Sequence, residues 1–166
     1  MNVEEPIAPT QIQLLQLKTP DEAFRAITML LAADSNYSQL PLHIASKVLQ
    51  AIKRQQYQLL AVGHKAEGCV LWAEISHATL EECIATEREP TPEQLCDNGD
   101  AIITLGLVAT TPALVRLLWR NFVRINRDRP IMAIRHFGTH HQRNPKFIVY
   151  RDGKKSRLAS QESAAA

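Results

Sequence analysis

Aromatic residues are scarce in this chain, at 5% of 166 residues, and neither sign of charge dominates. Lys and Arg total 19 against 17 Asp and Glu, a formal net charge of +2. That near-balance, with no stacking motif and no glycine-rich binding loop, argues against nucleic acid as a partner. No apolar run approaches the roughly eighteen residues of a membrane-spanning helix, so none is expected. Cysteine is limited to Cys69, Cys83 and Cys96, spaced 14 and 13 residues apart without a C-x-x-C pair. An odd count in that spacing argues against both a disulfide framework and a zinc site. The opening decapeptide, MNVEEPIAPT, is acidic and carries two prolines, which is wrong for a secretory signal. Reduced thiols in a cytoplasm follow as the expectation.

What is present is an ordinary globular composition, 45% hydrophobic and 22% charged. The length suits one domain that buries roughly two thirds of its unfolded surface. Residues 1–18 form a polar, proline-interrupted lead, with Ile12, Leu14, Leu15 and Leu17 available to dock on the body. A single domain is expected over residues 19–153, and 154–166, charged and then Ser- and Ala-rich, as a disordered tail. No internal repeat is visible.

Thr19-Pro20-Asp21-Glu22 predicts a helix start, with Thr19 as cap, Pro20 in the first turn and Glu22 completing a capping box. That helix runs to about Ala33, with Phe24, Ile27, Leu30 and Leu31 on one face. After a loop over Asp34–Leu40, Pro41 opens a second helix ending near Gln55. Two apolar runs come next, Tyr57–Val62 and Cys69–Ile75, around a turn at Gly63–Gly68. They predict a hairpin. A short helix is expected over Ala78–Thr86, then a polar connection over Glu87–Gly99. Ala101–Ala109, almost wholly apolar, predicts a strand covered on both faces. Thr111-Pro112 repeats the cap-plus-proline signal for a helix reaching about Ile125. Ile131–Phe137 and Lys146–Tyr150 predict two last strands.

The sharpest surface signal is basic. Arg116, Arg120, Arg124 and Arg127 recur at helical spacing, with Arg129 just beyond and Arg135 on the next strand. A row of guanidinium groups without an interposed carboxylate suits a partner of regularly spaced negative charge. A solvated helix face is the plainer alternative, favoured for Arg124 and Arg127 by the helix C-terminus. Six histidines are present. His136, His140 and His141 cluster, yet no carboxylate or cysteine accompanies them, so no metal site is expected. His64 falls in a hairpin turn and His77 after a strand.

One block is more specific than these patterns. The helix ending L-x-A-I-x-x-x-Q-Y-x-L-L over Leu49–Leu60, with G-x-x-x-W-A after it over Gly68–Ala73, resembles the toxin-activating lysine acyltransferases. Gly99-Asp100 with its apolar strand resembles that family's G-D-x-x-W strand, and Ala133-Ile134-Arg135 its late A-I-R strand. The likeness spans roughly Phe24 to Gly138. It implies a bacterial cytoplasmic enzyme that moves a fatty-acyl group from acyl carrier protein to lysines of RTX-type toxins, with no bound cofactor. It also implies an α+β, acetyltransferase-like (GNAT-like) sheet flanked by helices, which the element order suits.

The departures are as informative. The family's catalytic histidine lies some twenty residues before the Q-Y pair, and an ungapped count from Gln56-Tyr57 places Asn36 there. The catalytic aspartate lies in the G-D strand, where the same count places Gly106. A carboxamide has no useful basic site, and glycine has no side chain. Stand-ins are therefore sought: His43 as base, with Asp34 or Asp100 to orient it. Coenzyme A-binding acetyltransferases hold the pyrophosphate on a glycine-rich turn between the central strand and the next helix. Here that junction is Val108-Ala109-Thr110-Thr111-Pro112, without glycine and with one donor removed by Pro112. A carrier protein, which presents its own phosphopantetheine, needs no such turn. Two functions fit: acyl transfer from acyl carrier protein to a lysine, or a catalytically inactive homologue that binds the carrier or a partner protein through its arginines.

Overall fold

Two threonine caps set the frame. The Thr19 hydroxyl accepts from the Glu22 N–H (3.3 Å) and Pro20 occupies the first turn of α1 (Pro20–Ala33). The Thr111 hydroxyl accepts from the Leu114 N–H (3.3 Å) ahead of α4 (Pro112–Ile125). The computed structural model describes residues 11–35, 37, 42–137 and 144–156; side chains are described for all of these except 42–44, 134–137, 144–147 and 156. Between the capped helices lie α2 (Leu42–Lys53) and α3 (His77–Thr86). The strands are β1 (Ile12–Leu15), β2 (Tyr57–Val62), β3 (Lys65–Ile75), β4 (Leu95–Cys96), β5 (Ala101–Ala109), β6 (Ile131–Phe137), β7 (Asn144–Arg151) and β8 (Lys154–Ser156).

The strands form one sheet in the order β1-β2-β3-β5-β6-β7-β8, and β4 pairs with the end of β3. All pairings are antiparallel except β5 with β6, which α4 joins as a crossover. Both faces of the sheet are covered. Ile27, Leu31, Val48 and Ile52 of α1 and α2 pack on Leu59, Cys69, Leu71 and Val108, and Leu80 and Cys83 of α3 pack beside them on Ala73, Ile75 and Ile103. On the opposite face, Leu118 and Phe122 of α4, both fully buried, meet Leu60, Val70, Ile102 and Ile131. Strand alternation does this sorting, since Leu59 and Leu60, or Ile102 and Ile103, point to opposite sides. An aromatic row pins α4: the Phe122 ring lies 5.3 Å from Trp72 and 5.5 Å from Trp119, which in turn meets Tyr150 at 5.2 Å.

Several expectations change in detail. The hairpin turn is only Gly63-His64, because Val62 pairs directly with Lys65; Gly63 takes the left-handed φ of +63° that the reversal needs. Polar Lys65 and Glu67 belong to β3, with a register shift between Leu60 and Ala61 absorbing Glu67 as an extra residue. Part of the lead, Ile12–Leu15, is an edge strand on β2. Lys154–Ser156, expected in the tail, pair with β7 as β8. Residues 1–10 and 157–166 lie outside the described residues. Among the described residues, no helix is long and apolar enough to cross a membrane.

Candidate functional site

The site lies where β5 and β6 part. Their parallel pairing comprises Ile102–Thr104 against Ile131–Ala133, although β5 continues to Ala109 and β6 to Phe137. A register shift falls at the same point: Trp72 faces Thr104 but Leu71 faces Gly106, so Leu105 is the extra residue. A bulge bends a strand and re-aims the side chains beyond it. The Thr104 hydroxyl, at the last paired position, is buried without a hydrogen-bond partner among the described residues. Such a group costs about 1–3 kcal/mol unless a water or a ligand satisfies it.

Gly106 comes directly after the bulge, and the loop between α1 and α2 reaches it. A Cβ on Gly106 would lie 3.6 Å from Leu71 Cδ1, 3.7 Å from Tyr37 Cε1 and 3.9 Å from Tyr37 Oη. The Tyr37 oxygen also accepts from the Leu107 N–H (3.5 Å), and the Tyr37 N–H donates to the Asp34 carbonyl (3.1 Å). Leu107 sits beyond the last β5–β6 pair, so this amide meets a phenol in the region where the strands have separated. Of the two positions counted off in the sequence, Gly106 is thus met by Tyr37. Asn36 itself lies outside the described residues. Sequence reasoning passed over Tyr37, the next residue after Asn36; its only signal was that adjacency.

The stand-ins are not brought together by any contact of the described residues. Asp34 caps α1 at its C-terminus, with its N–H on the Leu31 carbonyl (3.2 Å). His43 lies in the first turn of α2, and its side chain is outside the described residues. Asp100 is committed elsewhere: its carboxylate accepts from the His77 N–H at 2.6 Å, at the start of α3. Six residues of strand put it about 20 Å from Gly106. A cleft lined by His77, Arg127, Asp128, Arg129, Pro130, Arg151 and Asp152 lies by that same remote end. His77 and Arg151 each reach Glu81 there, at 3.6 and 3.0 Å. Among the described residues, no group of three or more His, Cys, Asp or Glu could hold a metal; His140 and His141, and the side chain of His136, fall outside them. Cys69 is buried at 0% exposure, and desolvation pushes its thiol up to about 12, which suits packing and not nucleophilic chemistry.

The turn from β5 into α4 is occupied by a carboxylate. The Thr110 N–H donates to the Glu67 carbonyl (2.9 Å), the Thr111 hydroxyl is spent on the cap, and Pro112 has no N–H. The Glu67 side chain lies here too. Its carboxyl is held below the usual carboxylate range by the Thr110 hydrogen bond first, then by Lys65, whose Nζ is 3.0 Å away. An anion fixed at this turn repels a pyrophosphate.

Arg116, Arg120 and Arg124 are exposed on one face of α4, with Arg124 donating to Asn121 Oδ1 (2.8 Å). Arg127 does not continue the row. The helix ends at Ile125, where Asn126 caps it by donating from Nδ2 to the Phe122 carbonyl (3.0 Å), and Arg127 stands in the turn just past that cap. Arg129 is structural: it donates to Glu74 Oε1 (3.0 Å), the Gly99 carbonyl (3.2 Å) and Asn126 Oδ1 (3.0 Å). The Arg135 side chain is outside the described residues.

Known proteins share this fold. The family model described as the RTX toxin acyltransferase family matches residues 17–143. No curated protein matches the chain in sequence. Among solved structures, the loading GNATL domain of CurA from Lyngbya majuscula superposes with a TM-score of 0.59 at 15% identity, covering 78% of this chain and 67% of that one. The GphF GNAT-like decarboxylase, in complex with isobutyryl-CoA, superposes with a TM-score of 0.55 at 16% identity, covering 78% and 68%. At such identities the likeness establishes the fold, which is GNAT-like α+β.

Proposed function

This chain belongs to the RTX toxin acyltransferase family, and we propose that it passes a fatty-acyl group from acyl carrier protein to a lysine of a partner protein in the bacterial cytoplasm. The turn between β5 and α4 carries this choice of donor. Glu67 holds a negative charge there, and neither Thr110 nor Pro112 offers an amide to a pyrophosphate. Free acyl-coenzyme A is disfavoured by that charge, whereas a carrier keeps its phosphate on its own surface. The carrier docks on Arg116, Arg120 and Arg124 by charge complementarity, with Arg127 and Arg135 adding positive charge. Its thioester enters where β5 and β6 part, and the lysine amine attacks the carbonyl beside Gly106. The nitrogen–carbon bond forms, the carbon–sulfur bond breaks, and the thiol leaves with a proton.

A non-catalytic carrier-binding role is the alternative that one observation favours. Gly106 offers no carboxylate, and among the described residues the groups nearest to it are Leu71 and Tyr37. Mass spectrometry separates the two. The protein is mixed with long-chain acyl carrier protein and an RTX-type lysine-bearing target; an acyl adduct on the target that needs this protein supports transfer. A stable carrier complex without an adduct supports the binder. Arg120→Glu with Arg124→Glu weakens the carrier complex by on the order of 30-fold at low salt, with the difference shrinking as salt rises. Unchanged affinity in a titration rules out α4 as the docking face.

A further inference from the structure

We infer that Tyr37 is the proton-transfer residue of the acyl transfer proposed above, acting in place of a histidine–carboxylate pair; this rests on that proposal. Three observations carry it. The Tyr37 hydroxyl lies against Gly106, 3.9 Å from where a Cβ would be, so among the described residues the phenol furnishes the nearest polar atom at this point of β5. Its oxygen is held by the Leu107 N–H at 3.5 Å, beyond the last β5–β6 pair, so it stands at the parting of the strands. The ring packs with the buried cluster of α1, α2 and β3, which fixes its position better than a loop alone would.

The chemistry suits a phenol. Attack of a neutral lysine amine on the thioester gives an adduct that has one proton too many on nitrogen and a sulfur about to leave as thiolate. Unperturbed phenol and alkylammonium groups titrate near 10 and 10.4, so exchange between them is close to balanced. Tyr37 gives its hydroxyl proton to sulfur and takes the surplus proton from nitrogen. One proton is lost from nitrogen and one gained by sulfur, the carbon–sulfur bond breaks, and Tyr37 returns to its starting state. The Leu107 N–H, pointing at the oxygen, stabilises the partial phenolate formed in passing.

The test is Tyr37→Phe, which keeps the ring and removes only the hydroxyl, compared on two donors. On the acyl carrier protein thioester, whose alkyl thiol is a poor leaving group, turnover falls on the order of 100-fold with carrier affinity unchanged. On an aryl thioester, whose thiolate leaves unaided, the loss shrinks to a few-fold. Equal losses on both donors, or no loss on either, overturn the inference while leaving the acyl-transfer proposal standing. Absence of transfer by the unaltered protein, in the presence of carrier binding, overturns both. Should the Phe variant misfold, fluorotyrosine incorporated at position 37 tests the same point. Its more acidic phenol shifts the basic limb of the pH–rate profile to lower pH, and an unmoved limb refutes the role.

Discussion

Two glycines near β5 admit one chemical change with opposite outcomes. A Cβ at Gly99 would lie 2.5 Å from the Ile75 carbonyl oxygen and 2.6 Å from the Ile75 nitrogen, inside any tolerable contact. Neither backbone can step aside cheaply. The Gly99 N–H donates to Glu74 Oε2 (2.9 Å) and its carbonyl accepts from Arg129 Nη1 (3.2 Å), both charge-assisted. Overpacking costs about 1–3 kcal/mol, and loosening one such bond about 1.5 kcal/mol more, so Gly99→Ala loses roughly 3–4 kcal/mol. At Gly106 the nearest atom to an added Cβ is 3.6 Å away, an ordinary contact. Gly106→Ala therefore gains about 0.4–1 kcal/mol through the unfolded chain. The separation between the variants is about 4 kcal/mol, or on the order of 10 °C in melting temperature for a chain of this length. Urea unfolding of the two variants and the parent reads it directly. If Gly106→Ala falls as far as Gly99→Ala, packing demands the glycine, and its lack of a side chain carries no chemical meaning.

Other consequences are simpler to state. Arg129→Ala removes the clamp on the α4–β6 turn and leaves Glu74, whose side chain is 16% exposed, without its cation; a loss of about 2–3 kcal/mol in urea unfolding is expected, and a loss under about 0.5 kcal/mol refutes the clamp. For Glu67 the sign comes from a lowered carboxyl in the folded state: its stabilisation is complete above the ordinary value of 4.5 and disappears as pH falls through the lowered one. Glu67→Gln should thus be less stable than the parent near pH 6, with the gap closing in strong acid. A gap independent of pH contradicts the Thr110 and Lys65 contacts as its source.

Much of the frame was legible because local chemistry and tertiary packing agree in it. Thr19-Pro20 and Thr111-Pro112 cap helices in isolation as they do in the fold, and the unbroken apolar run Ala101–Ala109 needs two covered faces wherever it lies. β4 and β8, of two and three residues, carry no period for a pattern to register, and only their partners on β3 and β7 define them. Lys65–Gly68 read as turn because polar residues beside a glycine resemble one; pairing with β2 overrode that preference. The arginine row lost Arg127 because periodicity does not see a helix end set by the Asn126 side chain. At the site, counting along the chain located Asn36 and Gly106 but could not show that the loop residue meeting Gly106 is Tyr37, since that contact joins positions some seventy residues apart.

The distribution of helices about the sheet bears on kinetics. The arginines of α4 look out from one side, while Tyr37 packs with α1 and α2 on the other. A carrier seated on α4, as proposed, would leave the opposite side, where α1 and α2 pack, to the lysine-bearing protein. Donor and acceptor then do not compete for a surface, and neither must depart before the other arrives. On the proposed function, transfer would run within a ternary complex, with double-reciprocal plots that intersect and no acyl group left on the enzyme between turnovers.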